Sequence, residues 1–132
     1  MYKLARFKVS SMTVNGKRLD LRVADNFLTQ SVGLMHSTPL KESEGMLFVF
    51  GRNGRWGIWM LNMGFSIDIV WLDSYGTVTS IMRDASPCRS MLTCPVHKPE
   101  SASRYVLELH SGFAKEHGIK IGDRLTIPKL PT

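Results

Sequence analysis

Two polar side chains, Asn62 and Asp68, interrupt the apolar stretch WMLNMGFSIDIVWLD at 59–73. A buried amide or carboxylate is costly unless something satisfies it. Two uses fit the pattern. Asp68 can accept amide hydrogens from the turn before it while Asn62 braces the connection, the commoner arrangement for these residue types. Alternatively, both are the polar groups of a small rim pocket walled by Trp59, Met60, Phe65 and Met35. Apolar walls with a few convergent polar groups are the usual make-up of a ligand site.

Other chemistry-bearing residues are sparse. Cys88, Cys94 and His97 have the spacing C-x5-C-x2-H, which supplies three local ligands where a closed zinc site needs four. His110 or His36 could complete the set only through the fold, so free thiols and no metal or other cofactor are expected. Cys94 is also a candidate nucleophile with His97 or His110 as base, and Asp68 a candidate general base. These residues carry the alternative reading, a small hydrolase or transferase. Neither a G-x-S-x-G elbow, an H-E-x-x-H pair, a phosphate-binding glycine loop nor a nucleotide fingerprint accompanies them. Eight methionines include Met35, Met46, Met60 and Met63, a soft set that Cu(I) could use. Methionine as adaptable core filler is the commoner explanation.

The chain that must position these groups has 132 residues, of which 43% are hydrophobic. That fits a single domain over 1–132 with a real core. Net charge is +6 and the sequence pI is near 9.6. Lys3, Arg6, Lys8, Lys17, Arg18 and Arg22 gather at the start, while the other basic residues are scattered among acids. Without a Lys/Arg run or an aromatic RNA-binding signature, this reads as a solvated basic surface, and weak nucleic-acid binding is only a third option. The longest uncharged, mostly apolar run, 56–67, has 12 residues and is too short to span a bilayer. The start of the chain alternates charged and apolar residues, unlike a signal peptide. A cytoplasmic protein with no membrane contact is expected, its partner an unknown small molecule and its oligomeric state open.

Asn15-Gly16 predicts a hairpin turn. Asp25 is a candidate cap for a short helix carrying Leu28, Val32 and Met35 at helical spacing, weakened by Gly33 and ended before Leu40 by Pro39. Gly45–Phe50, Arg55–Asn62, Ile67–Asp73 and Thr77–Met82 read as neighbouring antiparallel strands, with Ser74-Tyr75-Gly76 as a hairpin loop. Strand parity places Asp68 with Val70 and Leu72, opposite Ile67, Ile69 and Trp71. Residues 84–103 form a long connection. Tyr105–His110 resumes a strand, Gly112–His117 makes a helical turn closed by Gly118, and Arg124–Pro128 is a last strand. The predicted class is mainly β, an antiparallel sandwich or barrel with one or two short helices.

The series G-L-M at 33–35, G-M-L-F-V-F at 45–50, W-M-x-N at 59–62, I-D-I-V at 67–70, V-L-E-L at 106–109 and G-D at 122–123 resembles the family of the domain of unknown function 192. The resemblance spans roughly residues 14–128. It implies a compact β-rich sandwich or barrel with short helices, and a family with no assigned activity. Members usually carry an Arg three residues before G-L-M and another two residues after it, where this chain has Gln30 and Ser37. The family's N-T-x-x-P-L-D is N-M-G-F-S-I-D here, with Met63 and Ser66 replacing Thr and Pro. An arginine fork is what grips a carboxylate or phosphate bidentately, so these changes tell against an inferred anion site.

Overall fold

The computed structural model describes residues 6–35 and 37–130. Strands β1 (Lys8–Val14) and β2 (Lys17–Ala24) form the expected hairpin. Asn15 and Gly16 sit at φ 47° and 85°, the left-handed conformations that a type I′ turn demands. Helix α1 (Phe27–Val32) follows, capped by Asn26 in place of Asp25. The Asn26 side chain accepts from the Thr29 amide at 2.9 Å, and the Thr29 hydroxyl faces back to the Asn26 amide. Asp25 is instead paired with Lys8.

The chain then enters β3 (Glu44–Gly54), β4 (Ile58–Trp59), β5 (Ile67–Leu72), β6 (Val78–Ala85), β7 (Val96–His97) and β8 (Ser103–His110), and ends its regular structure with α2 (Phe113–Glu116). Six strands make one sheet in the order β1-β2-β3-β8-β5-β6, and β4 pairs with β7 in a small second sheet. The mainly β class with short helices is therefore borne out. Its form is an open mixed sheet, not a closed barrel. Strands β2 and β3 run parallel, because α1 and the residues after it carry the chain back to the end from which β2 began.

Other local expectations change for physical reasons. The expected strand Arg55–Asn62 keeps only Ile58–Trp59, paired with β7 and not with a strand of the main sheet. Its apolar residues serve as cover: Ile58, Met60 and Met63 pack down on one sheet face. Accordingly, β3 has β2 and β8 as neighbours, and only β5 and β6 of the expected four strands pair with one another. The expected last strand at 124–128 reduces to a single bridge between Thr77 and Arg124.

Sheet parity divides the core in two. Leu47, Val70, Leu72, Leu107 and Leu109 face one side, where Phe113 and Ala114 of α2 cover them. Met46, Phe48, Ile69, Trp71 and Val106 face the other, under Leu34 and the segment containing Met60 and Met63. All six residues of β5 are buried, as a strand covered on both faces requires.

Candidate functional site

The second face carries one anomaly. Glu108 lies in the middle of β8, opposite Met46 of β3 and Ile69 of β5, and is only 3% exposed. No group among the described residues hydrogen-bonds its carboxyl, yet none of their sealed side-chain oxygens lacks a partner. The residue instead lines open space. That space is a cavity of about 130 Å³ between the sheet, α1 and the 57–63 segment.

The sequence builds the walls locally. Gly33 ends α1 at φ 49°, and a Cβ there would come within 3.3 Å of the Phe48 ring, so glycine lets the helix end settle against the sheet. Gln30 turns inward, donating to the carbonyls of Val49 at 2.8 Å and Ala24 at 3.3 Å. Trp59, Met35 and Met63 supply the remaining soft surface. Arg22 occupies the same sheet row, beside Met46 and hence two strands from Glu108. Its guanidinium donates to the Ser37 hydroxyl at 3.2 Å and lies 5.9 Å from the centre of the Phe7 ring. Burial pushes the Glu108 carboxyl up to about 8, with the Arg22 charge pulling the other way. At neutral pH the acid is mostly protonated.

The predicted pocket residues do not all meet there. Trp59 and Met35 line the cavity. Met60 is buried in the core of that face, and Phe65 packs half-buried against it. Asn62 is exposed, adopts φ 58°, and borders a separate surface hollow with Ser37 and Arg89. Asp68 is on the opposite face with Val70, as parity required. Its Oδ1 accepts from the Asp84 amide and its Oδ2 from the Ala114 amide, both at 2.9 Å. The carboxylate is thus a structural tie joining β5 to β6 and α2. The donors come from distant segments, not from the preceding turn.

The expected free thiols are corrected. Cys88 and Cys94 form a disulfide, with Cα atoms 5.6 Å apart. A tight turn at 90–94, where the Cys94 amide donates to the Ser90 carbonyl, brings them together. A bonded sulfur is neither a thiolate nucleophile nor a zinc ligand, so the Cys94 readings fall away. His97 sits in β7, and His110 Nδ1 engages the Leu40 carbonyl at 2.8 Å. His36 lies outside the described residues. The disulfide loop also braces the cavity wall: Cys88 exchanges backbone hydrogen bonds with Met60 and Asn62.

Elsewhere, Glu42, Glu116 and His117 place ligand-type atoms within 4.8 Å of one another, and a hydrogen bond from His117 holds the Glu42 carboxyl below the usual range. Among the described residues no helix is long and apolar enough to cross a membrane.

Sequence reasoning missed Glu108 and gave Gln30 no role in a pocket. The signal for Glu108 was present in V-L-E-L, an acid set among apolar residues that alternate to both faces of a strand.

Comparison with known proteins agrees with this layout. A UPF0127 protein of Pyrococcus abyssi is 28% identical over 110 residues, covering 80% of this chain and 83% of that one. A solved structure from Sinorhizobium meliloti, provisionally named a transcription regulator, is 31% identical with a TM-score of 0.76 over 92% of this chain and 93% of that one. A Novosphingobium aromaticivorans protein of unknown function, 24% identical, has the same fold with a TM-score of 0.78 over 96% of each chain. The family model DUF192, described as "Uncharacterized ACR", matches residues 10–127, and the chain belongs to that family.

Proposed function

We propose that this chain is a small binding module whose guest sits against Glu108 in the cavity beside α1. The observation that carries this reading is a carboxyl, buried and unpartnered among the described residues, facing a cavity of about 130 Å³. A buried polar group without a partner costs roughly 1–3 kcal/mol. A fold that keeps one facing a cavity has a use for it. Cavities of about 150 Å³ admit a guest the size of benzene, which sets the scale of the ligand.

A test needs no ligand. If Glu108 is held in reserve for a guest, Glu108→Met removes the cost and raises stability in urea by roughly 1–3 kcal/mol. A loss of stability would mean that Glu108 serves the fold, and would sink the proposal.

The raised affinity of Glu108 for its proton favours one alternative, catalysis with Glu108 as general acid. It replaces the Asp68 and Cys94 versions, because Asp68 has both oxygens engaged and Cys94 is bonded. Activity in a substrate panel that disappears in Glu108→Gln would support it. The Sinorhizobium relative's name raises nucleic-acid binding for this basic chain. However, the described helices have 6 and 4 residues, too short for a groove-reading helix. The disulfide fits an oxidising compartment better than the cytoplasm expected from the sequence.

A further inference from the structure

We infer that the guest of the Glu108 cavity is a small organic cation, an ammonium group on a compact apolar body; this rests on the binding-module reading above. Three observations point the same way. First, Glu108 is the sole ionisable residue lining the cavity among the described residues, so the charge they offer is negative. Second, the side-chain donors of Gln30 and Ser31 are spent, which leaves the Trp59 indole N–H as the donor in the lining without an acceptor among the described residues. The Gln30 amide nitrogen donates to the Ala24 and Val49 carbonyls, and the Ser31 hydroxyl donates to the Phe27 carbonyl at 2.7 Å. What remains on Gln30, Ser31 and an ionised Glu108 is acceptor oxygen, which matches a guest rich in donors. Third, the walls are aromatic and thioether: Phe48, Trp59, Met35 and Met63. Ring faces attract cations, and soft sulfur tolerates them, whereas both are indifferent or hostile to an anion.

Charge balance follows from the geometry. In the empty protein the carboxyl keeps its proton. When the ammonium enters, that proton leaves to solvent and the carboxylate pairs with the guest, so the buried pair carries no net charge. Arg22 is the charged group among the described residues that acts on Glu108, and it already faces Ser37 and Phe7. It therefore does not occupy the place of the guest.

Probes of one shape and three charges separate the possibilities: tert-butylammonium, tert-butanol and pivalate. Each is titrated into the full chain near neutral pH, with binding read from the Trp59 indole resonance and calorimetry in two buffers of different ionisation heat. The expected result is saturable binding of tert-butylammonium at least tenfold tighter than of the other two, with release of about one proton per guest. Glu108→Gln should abolish that preference. Trp59→Leu, a change at a half-buried position, should weaken the ammonium about tenfold more than it weakens the alcohol. Equal binding of all three probes, or preference for pivalate, overturns the cation assignment and leaves the binding module standing. Cation preference without proton release, or surviving in Glu108→Gln, overturns the role of Glu108. Failure of all three probes to bind overturns both proposals.

Discussion

The protonated state of Glu108 makes stability itself a readout of the cavity. In the folded chain its carboxyl holds a proton up to about 8, against an ordinary value of 4.5 when unfolded. Between those values the folded state binds more protons than the unfolded one, so this group makes stability fall as pH rises. The decline begins above the unfolded value and ends once pH passes the folded one. At about 1.4 kcal/mol per pH unit, the full interval corresponds to about 5 kcal/mol, and the part between pH 5 and pH 8 to roughly 3–4 kcal/mol. Glu108→Gln has no proton to lose and keeps nearly the same shape. Urea denaturation of parent and variant at those two pH values should give curves that converge at pH 5 and separate at pH 8, the variant being the more stable. Glu42, held low by His117, contributes in the opposite direction but equally to both proteins, and cancels in the difference. Parallel pH dependence in the two proteins would refute the reasoning, because it would mean that Glu108 titrates normally.

Asp68→Ala should cost roughly 1–3 kcal/mol in the same assay by stranding the Asp84 and Ala114 amides; Asp68→Asn, which keeps one acceptor, should fall between it and the parent. No loss in Asp68→Ala would end the structural role assigned to that carboxylate. The Cys88–Cys94 disulfide closes no more than a short loop, so thermal unfolding with and without reductant should differ by about 2 kcal/mol, with amide exchange quickening at 60–63 on reduction; unchanged exchange there would show that the loop does not brace the cavity wall. Gly33→Ala, at φ 49° and against Phe48, should cost at least about 1 kcal/mol and weaken guest binding, which denaturation and titration would check together.

Much of the fold was legible because local chemistry decided it. Asn15-Gly16 dictates its own turn, and β5, apolar on both faces apart from Asp68, could only be an interior strand. Asn26 and Asp25 are both capping residues, and the choice fell to the one whose side chain reaches the Thr29 amide. The segment 55–62 misled for a different reason. Alternation reports only that side chains are buried, and a cover lying on a sheet buries its apolar residues much as a strand within it does. What distinguishes them is backbone pairing, and here Met60 and Asn62 spend their hydrogen bonds on Cys88. The parallel β2–β3 pair was equally out of reach, since it depends on the path taken by residues 25–43.

The site shows the same limit more sharply. Asp68 and Glu108 are acids in neighbouring central strands, one register step apart, where Asp68 pairs with Leu109 and Ile69 with Glu108. Both sit in apolar runs and both are buried, so their sequences pose one question. Parity answers part of it, sending Asp68 to the face covered by α2 and Glu108 to the other. The rest is decided by what arrives from far along the chain. On the α2 face two backbone amides, from Asp84 and Ala114, close on the carboxylate and turn it into a tie. On the opposite face the 57–63 segment and the end of α1 approach without supplying a donor, and the space left over is the cavity. A buried acid in a strand is therefore a structural residue or a recognition residue according to whether backbone amides reach it, and here the two outcomes stand back to back across one sheet.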